Sequence, residues 1–130
     1  MSARPVAHYS PVVVAGPWLI VSGQVGLKDG SLVGGGIAAE TTQALANLEA
    51  LLAENGAKLT DVVKTTVFMV DIGNFAVVNT AYAAAFGDHR PARSAIAVAG
   101  LPVGALVEIE AWALRPAQAA GPAGVATSGS

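Results

Sequence analysis

Arg93 and Glu108 are the two charged residues whose surroundings demand a chemical reason. Arg93 lies in the short apolar run from Ala92 to Val98, and Glu108 in the run from Leu106 to Leu114. An unpaired charge buried in such surroundings is very costly. Both runs read as strands, joined by a turn that carries Gly100, Pro102 and Gly104, residues that supply or fix unusual φ values. A strand alternates its faces, so Leu106, Glu108, Glu110 and Trp112 share one side. Val107, Ile109, Ala111 and Ala113 share the other, the expected core side. Two chemistries are open. The carboxylates either reach solvent or pair with Arg93 as a structural salt bridge. Otherwise the set is a site, in which an Arg holds an anion and a Glu handles water or a proton.

The elements that must position these residues follow in order along the chain. Val12 to Ala15 and Trp18 to Ser22 are β-prone runs around Gly16-Pro17, a hairpin signal. In Ser22-Gly23-Gln24 the glycine permits a bulge or a close approach of backbone to another group. Lys28 to Ser31 reads as a turn. Gly34-Gly35-Gly36 lacks the Lys-Ser/Thr of a phosphate loop and the spacing of a dinucleotide fingerprint, so it is a connector. A helix is predicted over Ile37 to Asn55, with an apolar stripe of Thr41, Ala44, Leu45, Leu48, Leu51 and Leu52 and a stop at Gly56. Asp61 to Val70 reads as a central strand. Asp71 to Asn74 offers capping oxygens to a second helix, Phe75 to Phe86, whose stripe is Val78, Ala81, Tyr82 and Ala85. His89 follows in a loop with no Ser or Cys nucleophile as its partner, and reads as a surface residue. Two helices can cover only one face of such a sheet. The other face is still partly apolar, and oligomerisation is the simplest way to bury it.

Composition narrows the function classes. A length of 130 residues suggests one domain, here residues 1–116, followed by a tail from Ala117 to Ser130 that lacks large apolar residues and is expected to be disordered. Hydrophobic residues make up 53% and charged residues 12%. That charged fraction is about half the usual one and leaves little to cover a monomer's surface. A net charge of −2 gives no basic footprint for nucleic acid. Zero cysteines exclude disulfides and thiol catalysis, and two histidines make a His-based metal site a poor prospect. No apolar run is long enough to span a bilayer, and Met1 to Ser10 has no signal-peptide core, so no membrane partner and a cytoplasmic location are expected.

Pro91-Ala92-Arg93-Ser94, Leu101-Pro102 and Val107-Glu108-Ile109-Glu110 resemble the C-terminal signature of the RidA (YjgF-type) family of reactive-intermediate deaminases. Val21-Ser22-Gly23-Gln24, Asp61 to Phe68 and Asn74 to Asn79 resemble further family segments in the right order, covering roughly Tyr9 to Arg115. The resemblance implies an α+β, chorismate mutase-like fold, a mixed sheet with two helices on one face, and a homotrimer with sites between subunits. It implies hydrolysis of 2-imino and 2-enamino acids, such as 2-iminobutanoate and 2-iminopropanoate, to 2-keto acids and ammonia. Arg93 would clamp the substrate carboxylate through two parallel hydrogen bonds, which Lys cannot reproduce. Glu108 would orient the attacking water and relay protons. Ser22, Gly23 and Ala95 would line the pocket. No metal or cofactor is implied, because a protonated imine is already electrophilic. Ala95 stands where many members carry Cys, and Val12 where many carry Tyr. Two other readings compete. One is a non-catalytic trimer that binds small carboxylates or acts as a chaperone. The other is a chorismate mutase, which would need a cluster of cationic groups that four Arg and three Lys do not convincingly supply.

Overall fold

A computed structural model describes residues 7–116. The expected disordered tail, residues 117–130, lies outside the described residues. The strands are β1 (Val12–Ala15), β2 (Trp18–Gln24), β3 (Leu27–Lys28), β4 (Ser31–Leu32), β5 (Val62–Met69), β6 (Ala92–Ala97) and β7 (Val107–Leu114). The helices are α1 (Gly36–Ala53) and α2 (Phe75–Phe86). Five strands form one sheet in the order β1-β2-β7-β5-β6. Only β5 and β6 run parallel, joined through α2, and the other neighbours are antiparallel. The expected turn at Lys28 to Ser31 is the tip of a two-stranded hairpin, β3–β4.

Both helices lie on one face of this sheet, as the count of apolar stripes requires. Val107, Ile109, Ala111 and Ala113 of β7 are fully buried, with Leu19 and Val21 of β2 and Val67 and Met69 of β5 beside them. From α1, Thr41, Ala44, Leu45, Leu48, Leu51 and Leu52 pack against them. Burying one such Leu contributes about 1.5–3 kcal/mol. On α2 the buried residues are Val78, Tyr82 and Phe86. They recur every four residues, so Phe86 takes the place expected of Ala85, which is exposed.

Two local features fix where α1 sits. Gly35 and Gly36, with φ of 106° and 82°, turn the connector into the helix. At the other end Gly56 adopts φ 75°; its amide donates to Ala53 and that of Ala57 to Leu52, closing the helix with a left-handed cap. Gly26 packs directly on the α1 backbone: a Cβ there would stand 2.8 Å from the Glu40 Cα. That close approach lets Glu40, which is buried, accept the Leu106 amide at 2.8 Å through Oε1 and so hold the start of β7.

Candidate active site

Arg93 lies on β6, the edge strand, in register with Thr65 of β5 and, beyond it, Ala111 of β7. Thr65 and Ala111 are both fully buried on the helix-covered face. The Arg93 side chain therefore leaves the sheet toward α2. Its Nη1 donates to Asn79 Oδ1 at 2.6 Å. Its guanidinium carbon lies 4.8 Å from the centre of the Tyr82 ring and 5.4 Å from that of Phe75. The Tyr82 hydroxyl is tied to Thr65 Oγ1 at 2.7 Å in the core. Burial pushes the Tyr82 phenol above its ordinary pKa, against the opposing pull of Thr65 and Arg93. Arg93, Asn79, Tyr82, Phe86, Arg90 and Pro91 are among the residues lining a cleft of about 440 Å³. His89 also lines it; it is half-buried rather than a free surface residue, with Nε2 2.6 Å from the Val62 carbonyl oxygen.

Glu108 occupies the opposite, uncovered face, in register with Phe68 of β5, which in turn pairs with Ile96 of β6. Its side chain lies over Gly23. A Cβ at that glycine would stand 2.7 Å from the Glu108 Cδ and 2.9 Å from its Cγ. Gly23 sits where the β2–β7 register slips, between Val21 and Gln24. The irregularity and the close approach are thus one feature. Burial, and secondarily the negative charge of Glu110, push the Glu108 carboxyl above the usual glutamate range. Ser22 ties the preceding segment to this place: its hydroxyl donates to the Ser10 carbonyl at 2.6 Å and its amide to that of Pro11 at 2.9 Å. Tyr9, adjacent to Ser10, is exposed. Val12 pairs with Val21 and packs on the core, away from Glu108.

Arg93 and Glu108 therefore do not meet within one chain. They differ by three residues along the strands, about 10 Å, and by two strand spacings, about 10 Å, with side chains on opposite faces. The structural salt bridge between them is absent. Among the described residues no carboxylate pairs with Arg93. Ala95, two residues beyond Arg93, turns its methyl to the core and leaves only backbone for a ligand. Sequence reasoning overlooked the setting of Arg93. Phe75, Asn79 and Tyr82 recur at i, i+4 and i+7 and so share a helix face, a spacing that by itself reads as core for Tyr82 and gives no sign of the cation facing it.

Residues 1–115 match the family model described as Endoribonuclease L-PSP. The rat protein named 2-iminobutanoate/2-iminopropanoate deaminase (Rattus norvegicus) is 45% identical over 112 residues, covering 85% of this chain and 82% of that protein. A protein of Pyrococcus horikoshii named as a RutC family protein is 41% identical over 114 residues, covering 86% and 90%. The crystal structure of the YjgF gene product from E. coli superposes with a TM-score of 0.81 at 39% identity, covering 86% of this chain and 91% of that one. A sheet of this order, covered by helices on one face only, joined to a sequence match over nearly all of the described chain, places the protein in the L-PSP family of YjgF- and RidA-type proteins.

Proposed function

We propose that the protein hydrolyses 2-imino and 2-enamino acids, 2-iminobutanoate and 2-iminopropanoate among them, to 2-keto acids and ammonia. The observation that carries this reading is Glu108. Its carboxylate rests on the gap left by Gly23, is not neutralised by Arg93, and has a raised proton affinity. A carboxylate used only to balance Arg93 would sit beside it. Within one chain the carboxylate lies apart from that cation, and a proton affinity raised by burial suits the handling of water and protons.

In this reading the water oxygen bonds to the iminium carbon while Glu108 accepts a proton. The proton returns to nitrogen, and the C–N bond breaks as the hydroxyl oxygen forms the C=O bond. The hydroxyl proton passes through Glu108 to the departing ammonia, which leaves as ammonium with the 2-keto acid. Arg93 holds the carboxylate next to the reacting carbon, and the backbone of Ser22, Gly23 and Ala95 completes the pocket. Since Arg93 and Glu108 leave opposite faces of one sheet, a complete site takes Arg93 from one chain and Glu108 from another. A homotrimer with intersubunit sites, acting on a small imino acid in the cytoplasm, is the assembly that goes with this chemistry. The deaminase named among the relatives supports it over nuclease action, for which a chain of net charge −2 offers little phosphate-neutralising surface.

The test is a coupled assay in which a dehydratase generates 2-iminobutanoate and semicarbazone formation is followed with and without the protein. Arg93→Lys should weaken 2-oxobutanoate binding by roughly ten- to a hundredfold and lower turnover as well. Glu108→Gln should keep or improve product binding but slow hydrolysis by about 10²-fold or more. Wild-type rates in Glu108→Gln would remove its catalytic role. Tight keto-acid binding by an unmutated protein that hydrolyses nothing would establish the non-catalytic carboxylate binder instead.

A further inference from the structure

A half-buried guanidinium normally acquires a carboxylate, because a cation withdrawn from water needs compensation. Arg93 has been withdrawn from water without one. Its fixed contacts are an amide oxygen and two aromatic faces. We propose that Asn79 and Tyr82 form an electrically neutral cradle, which orients the Arg93 guanidinium without cancelling the charge that the substrate carboxylate must meet. This rests on the reading of Arg93 as the carboxylate clamp and adds two positioning residues to it.

The geometry supports a cradle rather than chance contact. Asn79 Oδ1 engages Nη1 at 2.6 Å and uses only one nitrogen of a group with five N–H donors. Among the described residues nothing else takes its donors, which are open to a forked contact with an anion. Tyr82 lies 4.8 Å away across its ring face, where a cation is attracted without being neutralised. The ring cannot tilt freely, since its hydroxyl is tied at 2.7 Å to Thr65, and Thr65 is the strand neighbour of Arg93 itself. Strand pairing, hydroxyl bond and ring contact thus close a loop around the guanidinium. Burial raises the Tyr82 pKa, so the ring remains uncharged at neutral pH.

An aspartate at position 79 would orient Arg93 equally well, through an acceptor of the same size, but it would compete with the substrate. That contrast gives the test. The full-length protein and its Asn79→Asp and Asn79→Ala variants are titrated with 2-oxobutanoate by calorimetry, and KM and kcat for imine hydrolysis are measured alongside. If Asn79 supplies only a structural acceptor, Asp is the milder change and Ala the harsher. The neutral cradle demands the reverse order. Asn79→Asp should lose about ten- to a hundredfold in affinity, chiefly in KM, with a melting temperature at or above wild type. Asn79→Ala should lose only about threefold. Tyr82→Phe, which keeps the ring but frees it from Thr65, should bind about threefold more weakly than wild type, and Tyr82→Leu, which loses the ring, about tenfold more weakly.

Wild-type affinity in Asn79→Asp would overturn the cradle, provided Arg93→Lys has lost binding. Unchanged binding in Arg93→Lys would instead overturn the clamp on which the cradle depends. An Asn79→Asp protein that fails to fold would also count against the proposal, since a carboxylate beside an unpaired guanidinium should stabilise the fold.

Discussion

Gly23 should separate the proposed activity from stability more cleanly than either charged residue. Its backbone φ is not in the left-handed region, so alanine fits the local conformation. What alanine does not fit is the space held by the Glu108 carboxyl. That group ends a flexible side chain on an uncovered face and can swing aside at little cost. Gly23→Ala should therefore melt within a few degrees of wild type while its imine hydrolysis falls by about tenfold or more. An equal loss of both, by calorimetry and assay, would mean that the glycine serves the fold and not the carboxylate. Glu108 itself also predicts a pH effect. Its folded-state pKa lies above the ordinary value of 4.5, so the folded chain binds this proton more tightly than the unfolded one. Stability from this group is present where both states are protonated. It falls as pH rises from 4.5 through the raised value, and is constant above that. Glu108→Gln removes this dependence. Its melting temperature relative to wild type should climb between acid and neutral pH, and a difference that stays flat across that window would contradict the raised pKa.

At the scale of elements, the contact of α1 with the loop after β2 bears the most weight for the site. A methyl at Gly26 would meet the Glu40 Cα at 2.8 Å and its carbonyl oxygen at 2.9 Å, both backbone atoms that cannot yield as a side-chain tip does. Gly26→Ala should therefore cost about 1–3 kcal/mol. It should lower the melting temperature by several degrees and loosen the Glu40–Leu106 bond that holds the start of β7. A melting curve superimposable on wild type would show that helix and loop can separate freely. The elements themselves were legible in the sequence because each obeys one local rule. The expected capping lies one turn early: the Asp71 side chain accepts the Gly73 amide and caps the short 3-10 turn Ile72–Asn74 that leads into α2. The helix's own N-cap, Asn74, makes no side-chain hydrogen bond, while the Gly87 amide closes the other end on Ala83. The β7 alternation gives Val107, Ile109, Ala111 and Ala113 to the core. The site was half legible. Arg93 and Glu108 stood out as charges within apolar runs, but the face each points to depends on strand order and register. Those are set by pairing β7 between β2 and β5, a long-range choice that no local pattern encodes. Asn79 and Gly26 were overlooked for a related reason: their roles exist only once another element arrives within a few ångströms.

At the scale of the molecule, the uncovered sheet face is what the proposed assembly must bury. Val13, Ile96, Trp112 and Leu114 are 47%, 46%, 42% and 37% exposed there, too much large apolar surface to leave in water. Light scattering should give three times the chain mass at micromolar concentration. Trp112→Asp, which puts a charge on that face, should dissociate the assembly and abolish hydrolysis together. A wild-type protein that remains monomeric at that concentration would exclude the shared site. Among the described residues, no helix is long and apolar enough to cross a membrane. The position of β7 has one more consequence, in time rather than in space. It is the last strand of the described chain, yet the sheet order β1-β2-β7-β5-β6 makes it the middle one. During synthesis, β2 and β5 have no common neighbour until residues 107–114 leave the ribosome. The core then closes by a long-range pairing that joins β2 to β5 through β7. Such non-local pairing is slow relative to helix formation, so a chain stopped before β7 leaves β2 and β5 without their common neighbour and their apolar faces open. A chain that lacks β7 also lacks Glu108, so the closed core and the proposed site arrive together.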